Sequence, residues 1–233
     1  MQQSQMAPSQ IATLVEHQLR RPGTLPTTKG TFILHILGPP SIGKTVLRDV
    51  LAQRLARFLP CYVPCSSFVM PRRERLARSV SECSEEAYDL TDLEKTIRFL
   101  VNGESIVVPE YDHNRGICSE QKLILRPSRL IYIEGPAWLY CCDRSLPHFT
   151  LLMEPVNFSH WQKAYVFRNT HFRNYTLADA HFAFELALSG WKKALSGASP
   201  TPDVHISVEF EGRTYVPVFH VIGAPKDIQG QRQ

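Results

Sequence analysis

The sequence predicts an α/β fold in which a mostly parallel β-sheet lies between two layers of helices. Apolar, β-rich runs alternate along the chain with stretches of helical periodicity, which is typical of strand–helix–strand units. Parallel strands need such crossover helices, and these cover both faces of the sheet. The length of 233 residues suits one such domain with a small appendage.

The hydrophobic spacing places the elements in order. A buried strand is predicted at residues 31–37, and a helix at 46–58 follows it. A second apolar strand at 130–133 ends at Glu134-Gly135. The other predicted elements are helices at residues 11–19, 89–102, 158–168 and 177–195, strands near 61–64, 105–109, 121–125 and 149–153, and a hairpin at 204–222 that turns at Glu211-Gly212.

Pro/Gly-rich and small-residue stretches divide the chain into three predicted parts. Residues 1–30 form a leading helix and linker, residues 31–197 form the main domain, and residues 198–233 form a C-terminal β-hairpin extension. The hairpin carries no chemical motif. It is expected either to cover a sheet edge or to form a contact between copies in a homo-oligomer.

Composition and charge narrow the class of protein. Lys and Arg number 26 against 22 Asp and Glu, and this mild excess suits an anionic ligand without arguing for nucleic acid. The cysteines lack zinc-ligand spacing, so free thiols are expected. The polar N-terminus does not resemble a signal peptide, and no run approaches eighteen apolar residues. These features predict a cytoplasmic protein with no membrane partner. The cysteines are Cys61, Cys65, Cys83, Cys118, Cys141 and Cys142.

The segment between the first strand and its helix has the pattern G-x-x-x-x-G-K-[ST], which predicts a phosphate-binding loop. Gly38 and Gly43 allow a tight turn that points backbone N–H groups at phosphates. The helix start adds unpaired N–H groups and a positive dipole end. Lys44 supplies a cation to the β- and γ-phosphates, and Thr45 supplies a hydroxyl for Mg²⁺. The loop predicted to bind ATP consists of Gly38, Pro39, Pro40, Ser41, Ile42, Gly43, Lys44 and Thr45.

Glu134 ends an apolar strand that is predicted to neighbour the strand before the loop. Parallel strands end at the same edge of a sheet, so this carboxylate is expected near Thr45. There it could hold a Mg²⁺-bound water or accept a proton. A solvated or helix-capping glutamate is the alternative.

From residue 32 to residue 180, the sequence resembles the uridine kinase and phosphoribulokinase group of P-loop kinases. The resemblance rests on the phosphate loop, on Pro109-Glu110-Tyr111-Asp112, on Glu134-Gly135 and on an arginine-bearing segment at 168–180. It implies a three-layer P-loop fold and transfer of the γ-phosphate of ATP to a hydroxyl of a small nucleoside, sugar or related metabolite.

The resemblance also implies roles for individual residues. Asp89 and Tyr111 match positions that contact the acceptor, and Asp112, His113 and Arg115 lie in the same segment as Tyr111. Arg168 and Arg173 would reach the phosphates from a lid. The plainer alternative for Asp89 is a helix cap, and that for Tyr111 is packing. The plainer alternative for His113 is a surface histidine, and for Arg168 and Arg173 it is a solvated helix charge.

One departure from the group bears on catalysis. Relatives carry an acidic pair after the strand that follows the first helix, and an Asp there is the base. This chain has Ser66 and Ser67 instead. A general base typically raises the reaction rate roughly a hundredfold to ten-thousandfold. Asp112 or Glu134 could act as the base instead. The alternatives are a nucleotide-binding regulator without turnover, or a kinase of modified nucleic acid that uses Arg72, Arg73 and Arg75.

Overall fold

The computed structural model describes residues 3–20, 30–136, 148–197 and 202–222. The strands are β1 (Gln3–Gln5), β2 (Phe32–Leu37), β3 (Cys61–Pro64), β4 (Ile106–Asp112), β5 (Ile117–Leu125), β6 (Leu130–Gly135), β7 (His148–Pro155), β8 (Val204–Glu211) and β9 (Val216–Ile222). The helices are α1 (Pro8–Leu19), α2 (Lys44–Arg54), α3 (Arg72–Ala77), α4 (Leu90–Val101), α5 (Phe158–Phe172) and α6 (Leu177–Gly197).

The described strands include a seven-stranded sheet in the order β1-β9-β8-β7-β2-β6-β3. The five strands from β8 to β3 pair in parallel, and β9 and β1 continue the sheet antiparallel. The predicted α/β class is therefore confirmed. Strand β2 lies between β6 and β7 and is buried along its whole length, as its continuous apolar run predicts.

The C-terminal hairpin is part of the central sheet. Strand β8 pairs with β7, and β9 folds back onto β8 across a turn in which Gly212 has a φ of 69°. Strand β1 pairs with β9, and this strand was not predicted because Gln3–Gln5 has no apolar alternation. The three-part division and the homo-oligomer stay predictions, although the first and last described strands join one sheet.

A second, two-stranded sheet stands apart from the first. Strands β4 and β5 form an antiparallel hairpin whose register shifts between Pro109 and Tyr111. Near its turn, the hairpin packs against the 3₁₀ turn Cys65–Phe68 that follows β3, where the sulfur of Cys118 lies 3.6 Å from the carbonyl oxygen of Ser67. The hairpin thereby carries Tyr111 and its neighbours to the end of the sheet where the phosphate loop lies.

The core is apolar on both sides of the sheet. The largest fully buried side chains include Trp161 and Trp191, on the two helices that cover one face. His35 on β2 is also buried, and this burial together with the nearby His148 lowers its pKa to about 3, so the imidazole is neutral at physiological pH. The four cysteines in the described segments are free thiols, and Cys141 and Cys142 lie outside them. Among the described helices, none has the length and apolar character that spanning a bilayer requires.

Candidate active site

The predicted phosphate loop connects the end of β2 to the start of α2. Gly43 caps α2 with a φ of 102°, a conformation that side chains disfavour. A Cβ at Gly43 would also lie 3.0 Å from Pro217 of β9, so the C-terminal hairpin packs directly on the loop. The N–H of Gly38 donates to the carbonyl of Gly135 over 3.0 Å, which fixes the loop to the end of β6.

Lys44 is held inside this loop. Its Nζ donates to the carbonyls of Gly38 at 2.9 Å and Pro39 at 2.8 Å. Burial lowers the pKa of Lys44, and the carboxylate of Glu134 opposes that shift. In the described part of the chain no carboxylate lies within ion-pair distance of Nζ, so the ammonium group can serve an anionic ligand.

Trp161 of α5 also supports the loop. Its indole Nε1 donates to the carbonyl of Pro40 over 2.8 Å, and its fully buried ring packs edge-on against Phe184. A tryptophan 121 residues further along the chain gives no sequence signal for this contact. Ile42 points into the core, so it can contribute only its backbone to a ligand.

Glu134 lies beside Thr45, as predicted. The Thr45 hydroxyl is 3.4 Å from Oε1 of Glu134, the Tyr62 hydroxyl donates to Oε2 over 3.2 Å, and Arg48 lies 3.5 Å from Oε2. One hydroxyl and one carboxylate oxygen beside a phosphate loop are the donors that Mg²⁺ prefers. These residues therefore fit a Mg²⁺ that also contacts the phosphates.

A cavity of about 450 Å³ opens over the loop and brings many of the predicted residues together. Arg168 and Arg173 reach it from the C-terminal half of α5 and the residue after it, and Tyr111 and His113 reach it from the β4–β5 hairpin. The rings of Tyr111 and His113 meet edge to face, with centroids 5.0 Å apart.

Three predicted residues lie elsewhere. Asp89 caps α4, where its Oδ1 accepts the N–H of Asp92 over 3.0 Å. The Oδ1 of Asp112 accepts the N–H groups of Asn114 at 2.8 Å and Arg115 at 3.1 Å, so this carboxylate stabilises the hairpin turn. Arg115 is exposed. None of the three is among the described residues that line the cavity, and the plainer alternative fits each of them better.

Glu82 is a cavity residue that the sequence did not indicate. It lies in the loop between α3 and α4, where the Tyr165 hydroxyl donates to its Oε1 over 2.6 Å and the Tyr88 hydroxyl donates to its backbone carbonyl over 2.9 Å. Burial raises the pKa of Glu82, but Arg75 and the Tyr165 hydrogen bond outweigh it and hold the pKa below the usual range. The carboxylate is therefore ionised at neutral pH.

A smaller cavity, of about 320 Å³, lies on the other side of the loop. Phe167 of α5 and Tyr215 of the C-terminal hairpin pack against each other there, with ring centroids 5.5 Å apart and ring planes tilted by 56°. Pro217 and Phe210 add further apolar surface beside Gly43. The hairpin, which has no motif of its own, thus supplies a wall next to the phosphate loop.

Comparison with known proteins agrees with this geometry. The sequence profile of the Phosphoribulokinase / Uridine kinase family matches residues 43–157. Over these residues the chain resembles this family of P-loop kinases. Its enzyme class is that of a phosphotransferase with an alcohol group as acceptor, and P-loop kinases use ATP. The matched residues include Lys44, Thr45 and Glu134 but end before Arg168 and Arg173.

Several solved structures share the fold of this chain at low sequence identity. A candidate fructose transport system kinase from Silicibacter sp. TM1040 is 20% identical with a TM-score of 0.63, over 82% of this chain and 95% of that one. A candidate uridine kinase from Bacillus stearothermophilus is 18% identical with a TM-score of 0.59, over 85% and 96%. D-glycerate 3-kinase from Cryptococcus neoformans is 12% identical with a TM-score of 0.57, over 86% and 94%. A search of curated proteins found no significant sequence match.

Replacing Glu134 by Gln is expected to weaken Mg²⁺ binding about tenfold to a hundredfold, because a charged oxygen ligand becomes neutral. Titrating Mg²⁺ at fixed ATP and following nucleotide binding measures this change. Glu110→Gln is the matched control, since Glu110 is exposed on β4 and does not line the cavity. An unchanged Mg²⁺ midpoint in Glu134→Gln would remove Glu134 from the metal site.

Replacing Asp89 by Ala is expected to lower the free energy of unfolding by about 1 kcal/mol, because α4 loses its N-cap. Chemical denaturation measures the loss, with Glu94→Ala, an exposed position in the same helix, as the control. Catalytic efficiency should not change. A large loss of kcat/KM at unaltered stability would instead place Asp89 in the acceptor site.

Proposed function

We propose that this protein transfers the γ-phosphate of Mg²⁺-bound ATP to a hydroxyl group of a small acceptor. The observation that carries the proposal is that one cavity is lined by the phosphate-loop lysine, by Thr45 and Glu134, and by the ionised carboxylate of Glu82. Phosphoryl transfer depends mainly on positioning and electrostatic stabilisation, and these groups supply both.

On the nucleotide side, the loop N–H groups and Lys44 bind the phosphates while Thr45 and Glu134 hold Mg²⁺. The nucleobase lies in the smaller cavity, against the wall that Phe167 and Tyr215 form. Its aromatic and apolar walls suit the flat face of a base. In this arrangement the C-terminal hairpin is a wall of the nucleotide site.

On the acceptor side, Glu82 acts as the general base. It replaces the aspartate that relatives carry where this chain has Ser66 and Ser67. The acceptor oxygen forms a bond to the γ-phosphorus, the bond from that phosphorus to the bridging oxygen of ADP breaks, and the hydroxyl proton passes to Glu82. Glu82 is favoured over Asp112, whose carboxylate is engaged in a turn. It is also favoured over Glu134, which lies beside Thr45 at the metal site.

Arg168 and Arg173 act from the lid. Burial and the neighbouring Arg173 lower the pKa of Arg168, which means that its charged form lacks compensation. Charge spreads over the transferring phosphoryl group in the transition state, and guanidinium groups at that position stabilise it. The Arg173 backbone is held by Arg72, which donates to its carbonyl over 2.8 Å.

The acceptor is small. The similar structures are described as kinases of a fructose transport system, of uridine and of D-glycerate, so the shared fold does not select one acceptor. A polynucleotide acceptor has weaker support, because two of the three arginines that suggested it do not form an outer basic surface. Arg72 binds backbone carbonyls and Arg75 is 5% exposed, which leaves Arg73 on the surface.

ADP release across a panel of nucleosides, sugars, sugar phosphates and hydroxy acids tests the proposal. At least one acceptor should raise ADP release well above the rate with water. Glu82→Gln should lower kcat by about a hundredfold to ten-thousandfold and leave binding of a non-hydrolysable ATP analogue unchanged. Glu85→Gln, in the adjoining exposed turn, should behave like the wild type. ATP binding without acceptor-dependent ADP release would favour a nucleotide-binding regulator.

A further inference from the structure

The cavity over the phosphate loop carries more positive charge than a nucleotide needs. Among its described lining residues, two are carboxylates, Glu82 and Glu134. Six are cationic: Lys44, Arg48, Arg72, Arg75, Arg168 and Arg173. Bound Mg²⁺ would itself neutralise part of the triphosphate charge. An anion other than the nucleotide therefore fits the cavity.

We infer that the acceptor carries an anionic group, a phosphate or a carboxylate, and that Arg75 binds it. The inference rests on the proposed kinase function and names the class of its substrate. Two observations support it: the burial and contacts of Arg75, and the contacts that occupy the other cationic residues of the cavity.

Arg75 is buried at the acceptor side of the cavity. Its side chain is 5% exposed, and its Nε donates to the carbonyl of Met70 over 3.2 Å. In the described part of the chain no carboxylate lies within 4.0 Å of the guanidinium. Burial disfavours the charge of Arg75, but Glu82, from beyond ion-pair distance, and the nearby tyrosines outweigh it and raise the pKa, so the guanidinium is firmly cationic. The same carboxylate also attracts Arg173 and Lys44, so the cavity keeps an excess of positive charge.

Arg75 has hydrogen-bond partners in Met70 and Tyr111 but no carboxylate in contact, so a bound anion would complete its charge pairing. A guanidinium presents paired N–H groups that match the two oxygens of a carboxylate or phosphate. Tyr111 lies beside Arg75, and Tyr175 also lines the cavity, so both phenols can donate to the same oxyanion. Guanidinium and phenols together form a built receptor for an anion.

The other cations have different partners or positions. Arg72 donates to the carbonyls of His113 and Arg173 and lies over the ring of Tyr175, so it ties the hairpin turn to the end of α5. Lys44 belongs to the phosphate loop, and Arg48 pairs with Asp49 and Glu134. Arg168 and Arg173 project from the lid. Arg75 is therefore the cation left for the acceptor.

Paired acceptors test the inference. Each neutral alcohol is compared with an anionic counterpart: a nucleoside with its 5′-monophosphate, a pentose with its 5-phosphate, and glycerol with glycerate. The anionic member of at least one pair should give a kcat/KM about a hundredfold higher or more. Phosphate pairs and the carboxylate pair separate the two kinds of anion. Equal or better turnover of the neutral members would overturn the inference and leave the proposed function standing.

Variants then assign the effect to Arg75. Arg75→Gln should raise KM for the anionic acceptor about tenfold to a hundredfold, because a charge-assisted hydrogen bond is lost. The same variant should have a smaller ratio of kcat/KM for the anionic acceptor to kcat/KM for its neutral counterpart. Arg73→Gln, an exposed position on the same helix, should match the wild type. Tyr175→Phe removes only a hydroxyl, so a raised KM in this variant would support the site even if Arg75→Gln fails to fold. An unchanged KM in both Arg75→Gln and Tyr175→Phe would overturn the assignment.

A binding measurement covers the case in which no acceptor of the panel is turned over. With the nucleotide site saturated by a non-hydrolysable ATP analogue, inorganic phosphate or acetate is added at constant ionic strength. Either anion should raise the unfolding temperature of the wild type and of Arg73→Gln, but not that of Arg75→Gln. No stabilisation of the wild type would overturn the inference, and stabilisation without turnover would count against the kinase function alone.

Discussion

The left-handed backbone of Gly43 is the constraint on which the rest of the site depends. This residue ends the phosphate loop and begins α2, so its conformation decides where the first N–H groups of the helix point. Three contacts from distant parts of the chain hold it there. Pro217 packs against it, Trp161 binds the carbonyl of Pro40, and Gly135 accepts the N–H of Gly38.

The sheet and the α5 helix both place functional side chains around the loop. The sheet brings Glu134 to Thr45 because β6 lies beside β2 in parallel register, with Ile36 opposite Glu134. The α5 helix supplies an indole at its start and two guanidinium groups near its end. The proposed metal ligand and the two arginines of the proposed lid thus lie on elements that also pack the core.

The sequence predicted the parts of the site that are local. The loop pattern and the strand ending in Glu134 are short segments whose meaning depends on neighbouring residues, and the α/β class follows from periodicity. The remaining parts depend on contacts between distant segments. Glu82 lies in a stretch without a motif, and hydrogen bonds from Tyr165 and Tyr88 hold it at the cavity. Arg75 lies on α3, and its inward position depends on how that helix packs. Asp112 matched a motif, yet its carboxylate stabilises a turn.

The segment at residues 72–75, which contains three arginines, also shows that the sequence does not indicate which side chains are buried. A charged cluster at the start of a helix predicts a solvated surface, and Arg73 follows that rule. Arg72 and Arg75 point inward, because α3 packs against the β4–β5 hairpin and the loop that carries Glu82. Gly116 admits Arg72 at this contact, since a Cβ there would lie 2.6 Å from its Nε. Spacing alone does not reveal which arginines face the interior.

Strand β1 pairs with β9, and β9 presses Pro217 onto Gly43. The first described residues of the chain are therefore mechanically linked to the phosphate loop through a single strand. Removing residues 3–5, or attaching a bulky fusion in front of them, would loosen the sheet edge that supports the wall of the smaller cavity. If the nucleotide binds as proposed, we expect the length of the N-terminal segment in a recombinant protein to affect nucleotide affinity.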